Sequence, residues 1–135
     1  MSEIESDYDD NDVVEGGKGR DKLFGEAGDD SIKGNGGRDK IEGGAGNDTM
    51  SGNGSHDTFV FGDGFGDDII KDFEADNDKE KIDLSDVTAI TSFADLVADH
   101  MDQVGSDVVI DDLSGNTITL QDVLLSDLDN PDFIF

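Results

Sequence analysis

The chain has 135 residues, which is enough for one domain with a small cap. It contains 35 acidic residues and 9 lysines and arginines, and its net charge of -26 argues against binding to nucleic acid or to an anionic membrane surface. Only 33% of the residues are hydrophobic and 18 are glycine, so apolar burial alone is insufficient to fold the chain. The absence of cysteine excludes disulfides and thiolate metal sites.

The N-terminus is not expected to be a cleavable secretory signal. Its first seven residues, MSEIESD, lack a basic region followed by an apolar stretch. No apolar run approaches the roughly 20 residues of a membrane span. If the protein is exported, we expect its targeting information to lie elsewhere in the chain.

Five tandem nonapeptides occupy residues 16–60, reading GGKGRDKLF, GEAGDDSIK, GNGGRDKIE, GGAGNDTMS and GNGSHDTFV. Each has an aspartate at its sixth position: Asp21, Asp30, Asp39, Asp48 and Asp57. Each has an apolar residue two positions later: Leu23, Ile32, Ile41, Met50 and Phe59. A degenerate unit at 7–15 supplies Asp12 and Val14, and a unit shifted by two residues places Asp68 in the acidic position.

The nine-residue spacing predicts a solenoid. Each unit combines a glycine-rich turn of six residues, where positive φ is permitted, with a short strand whose central residue faces inward. One unit reverses the chain and two units close a coil, so coils stack at the strand spacing of about 4.8 Å. Leu23, Ile41 and Phe59 are predicted to line one sheet. Val14, Ile32 and Met50 are predicted to line the other.

The stacked aspartates predict a cation site. Carboxylates about 5 Å apart repel strongly unless a cation lies between them. Carboxylate and carbonyl oxygens without nitrogen or sulfur ligands suit a hard cation, and a flexible shell of six to eight oxygens favours calcium over magnesium. His56 and His100 are expected to be solvated side chains rather than zinc ligands.

The pattern G-G-x-G-x-D-x-U-x, which units 16–24 and 43–51 match in full, resembles the calcium-binding nonapeptide of RTX (repeats-in-toxin) proteins. The resemblance implies an all-β fold, a right-handed parallel β-roll with a small mixed α+β C-terminal cap. Three segments are expected. They are a leader with the degenerate repeat at 1–15, the calcium-binding roll at 16–73 and the capping region at 74–135.

The resemblance also implies roughly three to five calcium ions, each bridging two turns of neighbouring coils. The paired carboxylates are Asp21 with Asp39, Asp30 with Asp48, Asp39 with Asp57, and, at the ends, Asp12 with Asp30 and Asp48 with Asp68. The carbonyl groups implied for the three central ions are those of Gly16, Lys18, Asn35 and Gly37; of Gly25, Ala27, Gly44 and Gly46; and of Gly34, Gly36, Asn53 and Ser55.

The second half is predicted to form the cap. Residues 81–84 alternate as a short strand, and residues 107–111 and 116–120 flank a turn and predict a hairpin. Residues 92–104 predict an amphipathic helix with Ser92 as its N-cap and Gly105 as its end. Such a cap protects the open strand edges of the last coil.

The C-terminus provides a candidate export signal. The segments DTFVF (57–61), KIDLSD (81–86) and the closing Asp132, Phe133, Ile134 and Phe135 resemble the C-terminal region of RTX proteins exported by type I secretion. The resemblance implies recognition by the ABC transporter of that system and an extracellular location outside a Gram-negative cell. The alternative is that Phe133 and Phe135 only pack on the cap.

These patterns favour a monomeric, secreted calcium-binding module that is disordered without calcium and folds outside the cell. The sequence has no HExxH, GxSxG or phosphate-loop motif, so we expect no enzymatic activity. One alternative is a module that binds extracellular polysaccharide, as in the repeat modules of alginate epimerases. The net charge argues against a polyanionic glycan unless calcium bridges the two. Another alternative is an adhesin fragment that self-associates with calcium.

Overall fold

A computed structural model of the chain describes residues 2–5, 10–75 and 79–135. The first sheet has six parallel strands in the order β1 (Ser2–Glu5), β3 (Asp21–Phe24), β5 (Lys40–Glu42), β7 (Thr58–Gly62), β9 (Lys81–Asp86) and β13 (Phe133–Ile134). The second sheet has seven strands in the order β10 (Met101–Val104), β11 (Asp107–Asp111), β12 (Thr117–Leu120), β8 (Asp67–Ile70), β6 (Thr49–Ser51), β4 (Ser31–Lys33) and β2 (Val13–Glu15).

The register between strands confirms the parallel β-roll and its apolar seam. In the first sheet Leu23 pairs with Ile41, and Ile41 pairs with Phe59. In the second sheet the inward-facing row is Val14, Ile32, Met50 and Ile70. All of these side chains are buried. Ile70 follows Asp68 by two positions, so the shifted last unit also keeps the repeat geometry.

Two sets of turns connect the sheets. Edge 1 comprises the turns that lead from the second sheet to the first, at residues 16–20, 34–39, 52–57 and 71–80, with 76–78 outside the described residues. Edge 2 comprises the turns that lead from the first sheet to the second, at residues 25–30, 43–48 and 63–66. Residues 7–9 of the degenerate unit also lie outside the described residues. Neighbouring turns on each edge belong to successive coils.

The turns stack so closely that some positions require glycine. Gly46 has φ +110°, a left-handed conformation, and a methyl group on its Cα would lie 2.0 Å from the carbonyl oxygen of Gly28 in the preceding coil. Gly37 makes the same approach to Gly19. Backbone-to-backbone contact between coils therefore explains why these turn glycines recur every nine residues.

One hydrophobic cluster runs through both the roll and the residues after 73. Strand β9 continues the first sheet beside β7, and β12 continues the second sheet beside β8. The predicted hairpin is confirmed as the antiparallel pair β11 and β12. Strand β1 adds a pairing to β3 that the repeat did not predict, with Ile4 opposite Leu23. The division of the chain at 73 and 74 stays a prediction.

The predicted helix at 92–104 is wrong in its second half. Ser92 is the N-cap, and its side chain accepts a hydrogen bond from the Asp95 N–H. Helix α1 (Phe93–Asp95) continues as a π-helix (Leu96–His100), after which the chain enters β10 and pairs with β11. Pairing with β11 gives the backbone groups of β10 the hydrogen-bond partners that they would otherwise find within a longer helix.

His100 is buried, which corrects the expectation that it is solvated. Its Nδ1 lies 2.7 Å from the carbonyl oxygen of Asp111, and its Nε2 lies 3.5 Å from Asp95 Oδ2. His56 is exposed, as expected. The cap therefore uses His100 to join its helix to β11.

The close stacking of the turns predicts unequal effects of two glycine substitutions. Gly46→Ala places a methyl group against the Gly28 carbonyl, whereas Gly17→Ala meets no atom within 4 Å at a similar φ of +90°. Both variants carry the left-handed strain of about 1–2 kcal/mol. Gly46→Ala should lose a further 1–3 kcal/mol or so of unfolding free energy from overpacking, measured by urea unfolding in saturating calcium. Equal losses in the two variants would contradict the close stacking.

Candidate metal centre

Two rows of aspartates run along the edges of the roll. Edge 1 carries Asp21, Asp39 and Asp57, and edge 2 carries Asp12, Asp30, Asp48 and Asp68. Each aspartate stands two positions before an inward-facing strand residue, where a turn passes into the next strand. Of these side chains, all but Asp12 are buried. The nine-residue period thus places a carboxylate at the same height in every coil.

Each row is joined by hydrogen bonds from backbone to side chain. The backbone N–H of one aspartate donates to Oδ1 of the aspartate one coil further along. The bonds run from Asp12 to Asp30, Asp21 to Asp39, Asp30 to Asp48, Asp39 to Asp57 and Asp48 to Asp68, at 2.8–2.9 Å. One oxygen of each acceptor carboxylate therefore fixes the position of its side chain.

The second carboxylate oxygen has a different environment. Oδ2 is buried and makes no hydrogen bond within the described residues in Asp12, Asp30, Asp39, Asp48, Asp57 and Asp68. A buried carboxylate oxygen without a donor is strongly destabilising unless a cation compensates it. The repetition of the same unsatisfied atom along both edges indicates that a ligand completes these sites.

Backbone carbonyls lie beside these oxygens. A methyl group on Gly25 would lie 2.6 Å from both Asp30 Oδ2 and the carbonyl oxygen of Gly43 in the next coil. The corresponding point on Gly34 lies 2.5 Å from Asp39 Oδ2 and 3.0 Å from the carbonyl oxygen of Gly52. Carboxylate and carbonyl oxygens therefore converge at the first glycine of a repeat, and Gly43 and Gly52 were not predicted from the sequence.

All the residues whose carbonyl groups are predicted to bind calcium lie in turns. Edge 1 holds Gly16 and Lys18 in one coil, Gly34, Asn35, Gly36 and Gly37 in the next, and Asn53 and Ser55 in the third. Edge 2 holds Gly25 and Ala27 in one coil and Gly44 and Gly46 in the next. Asn35, Asn53 and Ser55 have φ of +67°, +63° and +76°, so they adopt the turn conformation that glycine has elsewhere. Their roles as ligands stay predictions.

Burial and neighbouring acids raise the pKa values of the row carboxyls. Burial is the main cause, and it raises the pKa of Asp48 and Asp57 to about 7 and that of Asp68 to about 8. Neighbouring carboxylates act in the same direction, while the hydrogen bond from the preceding aspartate opposes them. Burial also raises the pKa of Asp30 and Asp39. The rows therefore favour either a bound proton or a bound cation.

These residues fit calcium. Within residues 2–5, 10–75 and 79–135, no three Asp, Glu or His side chains form a conventional metal cluster. Row carboxylates and the turn carbonyls beside them, such as Gly43 beside Asp30 and Gly52 beside Asp39, offer only oxygen ligands, which suit a hard cation with a large, flexible shell. The stacking of coils, rather than a cluster in one loop, brings the oxygens together.

A second ladder on edge 2 was not predicted. The N–H of Asp29 donates to Asn11 Oδ1, that of Asn47 to Asp29 Oδ1, and that of Asp67 to Asn47 Oδ1, at 2.7–2.9 Å. These bonds run in the opposite direction to those of the aspartate row. The fifth repeat position of edge 2 therefore stabilises the stack from the exposed side, and its Asn or Asp at 11, 29, 47 and 67 is the corresponding signal in the sequence.

Comparison with known families identifies the repeats. Residues 7–41 and 33–70 match the family model of the RTX calcium-binding nonapeptide repeat (4 copies). Residues 7–70 therefore belong to the RTX repeats. RTX repeats bind calcium, in agreement with the all-oxygen site. No curated protein sequence matches the chain significantly.

Solved structures show the same β-roll. Extracellular lipase LipA from Serratia marcescens has a TM-score of 0.75 at 23% identity, over 96% of this chain and 20% of that chain. The AlgE6R3 subunit of the Azotobacter vinelandii mannuronan C5-epimerase has a TM-score of 0.73 at 26% identity, over 96% of this chain and 81% of that chain. The AlgE6R2 subunit of that epimerase has a TM-score of 0.67 at 25% identity, over 98% and 91%. This chain thus spans about a fifth of the lipase.

No helix of the described residues is long and apolar enough to cross a membrane. RTX repeats are typical of secreted proteins, and the lipase that shares the fold is extracellular.

The raised pKa values predict that protons partly replace calcium. In the metal-free protein the folded state retains protons that the unfolded state loses near pH 4, so this stability is full below about pH 4. It is lost as pH rises through about 7 for Asp48 and Asp57 and about 8 for Asp68. Circular dichroism in calcium-free buffer should show more β-structure at pH 4.5 than at pH 8.

Calcium binding should show the opposite dependence, because protons compete for the same oxygens. The affinity for calcium should fall as the pH is lowered from 8 to 5. Binding at pH 7 should release protons, and calorimetry in buffers of different ionisation enthalpy can measure their number. A metal-free chain that is more ordered at pH 8 than at pH 4.5 would contradict this picture.

Proposed function

We propose that the chain is a non-catalytic RTX module that is unfolded at intracellular calcium concentrations and folds when it binds calcium outside the cell. The proposal rests on the buried Oδ2 atoms of Asp30, Asp39, Asp48, Asp57 and Asp68, which make no hydrogen bond within the part of the chain that the structure describes. Without a cation they oppose folding, and with calcium they become ligands. Roughly three to five ions would occupy the paired aspartates of the two rows.

The energetics support coupled binding and folding. At ten times Kd, each calcium site adds about 1.4 kcal/mol, so four sites add about 6 kcal/mol. This is comparable to the whole stability of a typical domain. Extracellular calcium modules bind with Kd values of about 10⁻⁴–10⁻³ M, far above cytosolic calcium. The 35 acidic residues would then repel one another inside the cell and keep the chain extended.

An unfolded chain suits export by type I secretion, and we propose that the C-terminal residues 132–135 are recognised by the transporter before folding. In the folded chain this tail is placed in the first sheet. Phe133 pairs with Ile82 of β9, and its ring centroid lies 5.9 Å from that of Phe93. Packing of the tail on the cap and recognition of the tail by a transporter are compatible, because the first concerns the folded chain and the second the unfolded chain.

The substitution Asp48→Asn tests calcium-coupled folding. It keeps an oxygen that can accept the Asp30 N–H and removes a charge shared by two proposed sites. In a calcium titration followed by circular dichroism, the wild-type chain should change from disordered to β-structure at submillimolar to millimolar calcium. The Asp48→Asn midpoint should rise at least about tenfold, the effect of losing 1.4 kcal/mol or so.

The matched control is Asp102→Asn, which removes one exposed charge from the cap and should leave the midpoint nearly unchanged. A wild-type spectrum that is identical in chelator and in 10 mM calcium would overturn the proposal. Equal midpoints for Asp48→Asn and wild type would remove Asp48 from the site.

A second candidate function, binding of an acidic polysaccharide, is favoured by the distribution of basic residues. The edge 2 turns at 25–30, 43–48 and 63–66 contain no Lys or Arg. On edge 1 and the adjoining first sheet, Arg20, Lys22, Arg38 and Lys40 line a groove of about 420 Å³, which we call the basic groove. Lys22 and Lys40 are register partners, so the positive charges repeat at the strand spacing of about 4.8 Å.

The basic groove answers the objection raised by the net charge only locally, because its four cations outnumber the three aspartates that also line it, Asp21, Asp39 and Asp83. We propose that it binds a uronate chain. The similar AlgE6R3 subunit belongs to a mannuronan C5-epimerase, an enzyme named for a uronic acid polymer. A periodic row of cations can bind successive carboxylates of such a polymer, with a strength that depends on salt.

Binding to mannuronan oligosaccharides in millimolar calcium tests this second candidate. The double variant Arg38→Gln/Lys40→Gln should weaken binding at least about tenfold in calorimetry, because it removes two charged contacts. Lys33→Gln/Lys71→Gln is the charge-matched control outside the basic groove and should change the affinity little. Absence of wild-type binding, or equal losses in the two double variants, would reject the basic groove as the site.

A further inference from the structure

The acidic row of edge 1 has a further member that the nonapeptide pattern does not contain. Thr58 of β7 pairs with Lys81 of β9, so Glu80 stands next to Asp57 in the register. The backbone hydrogen bond that joins neighbouring coils on edge 1 is also present here. Lys81 N–H donates to the Asp57 carbonyl at 2.9 Å, as Thr58 N–H donates to the Asp39 carbonyl at 2.9 Å. Glu80 therefore occupies the place of a fourth row aspartate.

Glu80 is buried in the same manner as the row aspartates. Its side chain is 0% exposed, Oε2 accepts the Glu74 N–H, and Oε1 makes no hydrogen bond within the described residues. Asp57 is also 0% exposed, and its Oδ2 has no hydrogen-bond partner there. Two buried carboxylates in adjacent coils thus each present one unsatisfied oxygen.

The charges around this pair are acidic. Burial is the main cause that raises the pKa of Glu80 to about 8; the hydrogen bond from the Glu74 N–H opposes it, and the charges of Asp72, Asp57 and Glu74 add to it. The Asp72 carboxylate is already used, because it accepts the N–H groups of Gly52 and Asn53 at 3.0 and 2.7 Å. The unsatisfied oxygens of Asp57 and Glu80 therefore need a cation from solution.

We propose that Asp57 and Glu80 hold an additional calcium ion between the edge 1 turns at 52–57 and 71–80, where the roll meets the cap. The site rests on the proposed calcium rows but extends them beyond the RTX repeats, through a glutamate 23 positions after Asp57 rather than an aspartate 18 positions after it. Its ion joins β7 to the loop that precedes β9. Calcium thereby stabilises the docking of the cap as well as the stacking of coils.

The count of bound ions tests this site. Native mass spectrometry of the full chain in calcium should show one ion fewer in Glu80→Gln than in wild type. Thermal unfolding should show a smaller rise in Tm for the variant than for wild type when calcium is raised from low to high millimolar concentration. The control Asp86→Asn removes an exposed charge from β9 and should match wild type in both measurements.

Glu80→Met provides a second variant of similar volume should the buried amide of Glu80→Gln impair folding. It should also lose one ion while keeping the circular dichroism spectrum of the calcium-bound fold. An unchanged ion count in both variants would overturn the site at Glu80 and leave the aspartate rows intact. A wild-type chain that binds no calcium would instead overturn the proposed function itself.

Discussion

The structure depends on the different roles of the two oxygens in five row aspartates, Asp30, Asp39, Asp48, Asp57 and Asp68. In each of them Oδ1 accepts a backbone N–H from the preceding coil and fixes the side chain, while Oδ2 is buried without a donor in the described residues. The hydrogen bond contributes about 1.5–3 kcal/mol because its acceptor is charged. The unsatisfied oxygen costs at least as much. The gain from the hydrogen bonds and the cost of the unsatisfied oxygens therefore oppose each other. Stacking of the coils becomes favourable when a cation binds beside those oxygens.

The hydrophobic core explains why this balance matters. Each coil of the roll contributes one central side chain per sheet, such as Ile32 or Ile41, and the rest of the coil is glycine-rich turn. Each unit buries one such side chain but must order nine residues, so apolar burial in the repeats does not offset the loss of backbone entropy. The last strand of the roll and the cap add other buried side chains, Phe61 in β7 and Leu84 in β9, but these lie at one end. The repeats need an additional source of stability, and calcium bound along the rows is the source proposed above.

Much of the roll could be predicted because one residue type repeats at one spacing. The strands, the apolar seam and the shifted unit ending in Ile70 follow from the nine-residue period. The helix was wrong beyond His100 because buried Leu96 and Met101 fit a helical pattern, while pairing with β11 is a tertiary effect. Glu80 was missed because a ten-residue turn replaces the usual six, so the register is preserved in space but not in sequence.

The two edges also show how a repeat can separate structure from recognition. The sixth position is acidic on both edges and faces inward. The fifth position faces outward and differs between them, with Asn11, Asp29, Asn47 and Asp67 on edge 2 and Arg20, Arg38 and His56 on edge 1. On edge 2 the side chains at this position accept the hydrogen bonds that join neighbouring coils. On edge 1 the fifth position carries basic residues. Substitutions at this position change the surface charge without altering the buried carboxylate oxygens. The same scaffold can therefore present different surfaces to a ligand.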